Sequence, residues 1–207
     1  MNVQKSASDH VKLFVCGDVK PPQRKAGDAG IDFFVPNLSE KFIADLVEKN
    51  PGQPFRWGLV GAPSNEEEAR DNKGIFIYLP PHEDILIPTY VKARFPSNIA
   101  LQANNKSGVA TNQKLGFGAQ LVDAAYEGII HIHVFNNSNS QRFIEFGQKL
   151  MQFVPVYIDE KPIEIFYDNS IEEFKEYKNF ISVEEFYKDH ETHRGEKGFG
   201  EGTGLKS

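Results

Sequence analysis

Eight short runs rich in Val, Ile and Phe divide this chain, each broken off by Gly, Pro or Asn, and they leave little of it for long helices. They are VKLFVC (11–16), IDFFV (31–35), GIFIYL (74–79), YVKARF (90–95), IALQA (99–103), IIHIHVFN (129–136), RFIEF (142–146) and LMQFVPVYI (150–158). Turn-forming residues between them, at a spacing of about ten residues, are the pattern of an antiparallel sandwich or barrel. A length of 207 residues supports one core with room for insertions. A hydrophobic share of 40% with 12% aromatic residues rules out a disordered chain.

Two segments break the strand rhythm. Residues 38–73 read as an insertion, in which SEKFIADLVEKN (39–50) sets Phe42, Ile43, Leu46 and Val47 on one helical face before Pro51-Gly52 stops it. Trp57, further along, reads as a local core anchor. Residues 159–190 form the second insertion. There SIEEFKEY (170–177) and SVEEFYKD (182–189) each open on Ser with Glu three positions later, the capping-box pattern of two short helices. The expected organisation is one β domain over residues 1–192 followed by a glycine-rich arm, 193–207. Five glycines in 194–204 form no stable element alone, so the arm is either disordered or orders over a ligand.

The formal charge of −6 argues against sequence-independent nucleic-acid binding; any polyanion must be held by a local group of cations. A single cysteine, Cys16, forms no intramolecular disulfide. The N-terminal residues lack a signal-peptide core and no apolar run approaches the ~20 residues that span a bilayer. A cytoplasmic protein without membrane contact is the expectation, in a host's cytoplasm if the chain is viral.

The candidate chemistry lies in the central segment and the tail. In the tail, glycine amides, Arg194, Lys197 and Thr203 suit phosphate, and Phe199 between glycines suits stacking on a base. Asp123 follows a strand-like run and by itself reads as a turn former, as Ser107-Gly108 reads as a loop. His131 and His133 alternate on one face of a strand but lack a third metal ligand nearby in sequence.

Taken in order, AGIDFF (29–34), KSGVA (106–110), LVDAAYEG (121–128), GQKLMQ (147–152) and RGEKGFGEGTG (194–204) resemble the five motifs of the homotrimeric dUTPase family. The resemblance implies an all-β fold, a distorted antiparallel jelly-roll of the β-clip kind carrying short helical insertions. It also implies a homotrimer with active sites shared between subunits, converting dUTP and water to dUMP and pyrophosphate. Mg²⁺ would be held mainly by the triphosphate, with Asp32 either near the metal through water or supporting the site; the residues alone equally allow Asp32 a capped-turn role.

By the same resemblance, Asp123 orients the attacking water and the Tyr126 ring lies under the deoxyribose. The hairpin of Gly116 to Val122, with Gly118, Gln120 and Val122, receives uracil through its backbone. Lys106, Ser107, Gly108 and Gln152 meet phosphate, as does Arg194. Gly198, Phe199 and Gly200 close over the base and Thr203 over the terminal phosphate. Lys106 stands where arginine is usual, Gln148 replaces an acidic residue, Gln120 replaces glycine and the tail has one extra residue. Two other readings remain open. One is a dCTP deaminase on the same core, although the strand after residue 128 offers no carboxylate to the base. The other is a nucleotide-binding regulatory module whose insertions contact a protein partner.

Overall fold

The computed structural model describes residues 10–53, 55–59, 75–159 and 161–188. Contacts divide the chain into two compact units, Met1–Glu160 and Lys161–Ser207. In the first unit the strands are β1 (Lys12–Val15), β2 (Ile31–Phe34), β3 (Arg56–Leu59), β4 (Ile75–Leu79), β5 (Asp84–Pro88), β6 (Val91–Arg94), β7 (Ile99–Asn105), β8 (Leu115–Gly118), β9 (Leu121–Val122), β10 (His131–Asn136), β11 (Arg142–Glu145) and β12 (Lys149–Tyr157). All eight strand-like runs of the sequence are strands. They pair antiparallel as β1-β6, β5-β10-β8, β11-β4-β3 and β2-β12-β7-β9, the distorted jelly-roll expected of an all-β chain.

Alternation along β10 explains how one strand serves two environments. Ile132, Val134 and Asn136 are buried, while His131, His133 and Phe135 lie on the opposite, partly covered face. One continuous core gathers Phe33, Ile77, Ile85, Ile87, Leu101, Ile132, Val134 and Phe153. Asn136, 1% exposed, is tolerated there because its amide donates to the carbonyls of Leu79, Pro80 and Ser140 while its oxygen accepts from Ser138.

The first insertion contributes helix α1 (Glu40–Lys49). The Ser39 hydroxyl accepts from the Phe42 amide at 3.1 Å, satisfying one of the free N–H groups of the first turn. Phe42 and Leu46 are fully buried, but Val47 is 49% exposed: the apolar stripe centres on the 42/46 pair, and Val47 turns past its edge. Asn50 ends the helix, donating to the carbonyls of Leu46 and Leu86 and accepting from the Leu86 amide at 2.7 Å. The insertion is thereby fastened to β5. Trp57 is not the core anchor the sequence suggested. It is 45% exposed, because β3 ends its sheet and the indole, opposite Ile77, overhangs the edge beside Phe55.

In the second unit, β13 (Tyr167–Asp168) and β14 (Phe180–Ile181) pair in parallel. Only one of the two expected helices is there: Ser182 caps a four-residue helix, Val183–Phe186, through the Glu185 amide. Residues 170–177 instead hold a 3₁₀ turn, Glu172–Phe174, because the Asp168 carboxylate takes the Ser170 amide at 2.9 Å and its carbonyl takes that of Ile171. None of the described residues of this unit is fully buried. No helix among the described residues is long and apolar enough to cross a membrane.

Candidate active site

The segment after β7 brings three of the expected phosphate-binding residues to one place. Leaving the strand at Asn105, the chain turns through Lys106, Ser107 and Gly108 into a single wide turn, Val109–Gln113, which Lys114 ends in the left-handed region at φ 57°. The Lys106 carbonyl accepts the Ala110 amide and the Ser107 carbonyl the Thr111 hydroxyl, leaving the Ser107 side chain exposed. Gln152 comes from β12, which lies beside β7, and donates to the Asn105 carbonyl at 3.2 Å. Lys106, Ser107, Gly108, Val109, Asn112, Gln113, Gln148 and Gln152 together line an open cleft of about 460 Å³. Such a concavity of amides, a hydroxyl and a cation suits an oxyanion. Gly30 leaves Gln152 its place beside the cleft: a Cβ there would stand 2.7 Å from Gln152 Oε1 and 3.0 Å from its Cβ, so that side chain would have to shift.

Asp32 lies behind this cleft, paired in register with Gln152. Its Oδ1 accepts from Lys106 Nζ at 2.5 Å and its Oδ2 from Lys149 Nζ at 2.7 Å, the carboxylate being 13% exposed. Burial pushes its pKa up, but the hydrogen bonds and charges of the two lysines outweigh burial and hold it below the ordinary aspartate value. Lys149 was not singled out in the sequence. Strict alternation puts it on the face opposite Gln152, but the register shift between Lys149 and Met151 turns it toward Asp32. Gln148, noted only as a departure from the motif, also reaches the cleft, held by the Glu145 amide and Gln113.

Magnesium finds a poor fit at Asp32. Each carboxylate oxygen already accepts from an ammonium group, and two cations beside it oppose a third. Among the described residues no group of three or more His, Cys, Asp or Glu is placed to hold a metal ion.

The base-binding candidates lie on a different element. Gly118 ends β8, Ala119 takes φ 46° to turn the hairpin, and Gln120 donates to the Phe117 carbonyl at 3.4 Å while its own carbonyl accepts the Ala103 amide. Val122 on β9 is buried against β7, opposite Leu101. Asp123 follows, exposed, its carbonyl accepting the Tyr126 amide in a turn. Tyr126, 44% exposed, donates its hydroxyl to the Ile129 carbonyl at 2.8 Å. Its ring passes over Gly128, where a Cβ would come within 2.4 Å of Cζ, so the glycine permits the ring's position. None of Gly118, Gln120, Val122, Asp123 and Tyr126 lines the cleft of Lys106 and Gln152. Arg194, Gly198, Phe199, Gly200 and Thr203 lie outside the described residues.

The family model described as dUTPase matches residues 76–183, just over half of the chain. The chain belongs to the dUTPase family. A deoxyuridine 5′-triphosphate nucleotidohydrolase of Arabidopsis thaliana is 27% identical over 122 residues, 59% of this chain and 65% of the relative. One of Fusobacterium nucleatum is 32% identical over 120 residues, 57% of this chain and 68% of the relative. The alignment thus spans slightly less than two thirds of the plant dUTPase. Among solved structures, a single-site mutant of the dUTPase from phage phi11 of S. aureus, described as coordinating a structural Mg(II) ion, superposes with a TM-score of 0.52. It is 20% identical, covering 80% of this chain and 99% of the phage protein, a likeness of fold.

Proposed function

We propose that this chain is a dUTP diphosphatase of the cytoplasm, a host's if the chain is viral, cleaving dUTP with water to dUMP and pyrophosphate. The observation that carries the reading is the convergence of Lys106, Ser107, Gly108 and Gln152 on one polar cleft, in a chain of the dUTPase family. Asp123 holds the water that attacks the α-phosphorus; an exposed carboxylate on a turn suits aligning and polarising a water. As the phosphorus–oxygen bond to pyrophosphate breaks, charge grows on phosphate oxygens, which Lys106 and the amides of Ser107 and Gly108 stabilise. The Tyr126 ring, fixed at its hydroxyl, rejects a ribose sterically. The hairpin of Gly118, Gln120 and Val122 reads uracil by its backbone, and cytosine leaves buried groups unpaired at about 1–3 kcal/mol each.

The site as proposed is completed by assembly. Three chains form a homotrimer, the cleft of one meeting the hairpin of another, and Arg194, Gly198, Phe199, Gly200 and Thr203 of the arm close over the nucleotide. That Asp123 and Tyr126 do not line the cleft of their own chain accords with this arrangement. The domain is taken to run to residue 192, and its insertions to offer surface to a protein partner. Magnesium, when bound, would be held mainly by the triphosphate and would offset its charge, and Asp32 acts by fixing Lys106 and Lys149. Incubation with dUTP, dCTP, dTTP and UTP plus Mg²⁺, with pyrophosphate and ammonia measured separately, tests the reading. Pyrophosphate from dUTP alone is expected; ammonia from dCTP, or tight dUTP binding without turnover, overturns it.

A further inference from the structure

The first insertion reaches the base-binding hairpin through side chains. Asn50 fixes the end of α1 onto β5 at Leu86, and the Pro51-Gly52 turn, with Gly52 at φ 79°, delivers Gln53 to the start of that strand. Gln53 Nε2 donates to Asp84 Oδ1 at 2.7 Å. The other oxygen of Asp84 lies 2.7 Å from His133 Nε2 on β10. A carboxylate only accepts here, so Nε2 carries the proton and the imidazole is fixed in tautomer and plane.

His133 stands directly opposite Gly118 in the β10–β8 register. Its ring fills the space a side chain at 118 would take: a Cβ there would be 2.4 Å from His133 Nδ1 and 3.0 Å from Cε1. One residue later the hairpin turns at Ala119, and two residues later the Gln120 carbonyl accepts the Ala103 amide, tying the hairpin to β7. The ring of Phe135 lies edge-on to His133, with ring centroids 5.9 Å apart. The imidazole thus occupies the space beside Gly118, where β8 ends and the turn begins.

We propose that Gln53, Asp84 and His133 act as positioning residues for the hairpin of Gly116 to Val122, tying the first insertion to recognition of the base. The proposal rests on the reading above for which base is bound. None of the three touches substrate; they act by holding the backbone that does. In this chain the insertion is then a brace for specificity as well as a cover for the core.

The test uses the full chain with Gln53→Ala, Asp84→Ala, Asp84→Asn and His133→Ala. In the absence of nucleotide, amide hydrogen exchange across residues 117–121 is expected to speed about tenfold in Asp84→Ala and His133→Ala, with exchange in α1 unchanged. Asp84→Asn, which keeps an acceptor, returns most of the protection. With dUTP, KM is expected to rise about fivefold with kcat held within about twofold, and preference over dCTP to fall, the signature of lost binding geometry rather than lost chemistry. Gln53→Ala has a smaller effect of the same kind and none once Asp84 is alanine. Unchanged exchange at 117–121 in both Asp84→Ala and His133→Ala overturns the proposal whatever the kinetics. Because exchange is read without substrate, it judges the brace even if dUTP is not turned over, an outcome that would overturn only the proposed function.

Discussion

Asp32 shows how far a single side chain depends on its partners. Its pKa is depressed, so its ion pairs contribute stability that is fully present above the ordinary aspartate value of 3.8 and lost as pH falls through the lower folded value. Asp32→Asn should destabilise the protein by about 2 kcal/mol at neutral pH, the usual scale for charged hydrogen bonds. Urea unfolding of both proteins at pH 7 and pH 3 should show the gap closing in acid. Among the described residues Asp123 has no ion pair that supports the fold, so Asp123→Asn should leave stability and dUTP affinity near wild type. Turnover should fall at least about a thousandfold, measured as pyrophosphate release alongside equilibrium binding. The motifs made Asp32, Lys106 and Asp123 legible in the sequence. Lys149 was hidden because a one-residue bulge reverses the face that alternation assigns to it.

Among the elements, α1 was readable and its end was not. Ser39, Phe42 and Leu46 follow the helical period, but nothing local announces that Asn50 will find Leu86, a partner thirty-six residues away. Asn50→Ala leaves the Leu86 amide and two carbonyls without this partner in a mostly dry setting and should cost about 3 kcal/mol, against about 1 kcal/mol for Ser39→Ala. Chemical denaturation of the two variants checks the order. Strands β3, β5, β8 and β9 lay outside the eight runs for different reasons. In β8 two glycines replace side chains that rings on β10 would otherwise strike, and β9 has only two residues, too few for a period. The helix expected over 170–177 failed because Asp168 captured the backbone first, a competition that a capping pattern alone does not reveal.

For the whole molecule, the absence of Asp123 and Tyr126 from the cleft lining of their own chain leads to a mixing experiment. If sites are shared between subunits, Lys106→Ala and Asp123→Asn chains, each crippled alone, should recover part of the turnover when unfolded together and refolded. Mixed assemblies then contain some sites with both residues intact. Light scattering should report three chains per particle, and removal of residues from Arg194 onward should abolish most turnover while leaving that number of chains unchanged. The all-β class followed from strand spacing alone. Division into units at residue 160 was not visible there, because residues 159–190 carry ordinary amphipathic patterns that do not say which core they join.

The two ammonium groups on Asp32 leave the cleft one positive charge in excess, set in a chain whose total is −6. A triphosphate approaching from afar meets repulsion, and attraction only within about a Debye length of Lys106. Moderate ionic strength should therefore quicken capture by screening the distant field, then slow it once the short-range pull is screened as well. A maximum of kcat/KM between low and high potassium chloride is the expected trace of that arrangement.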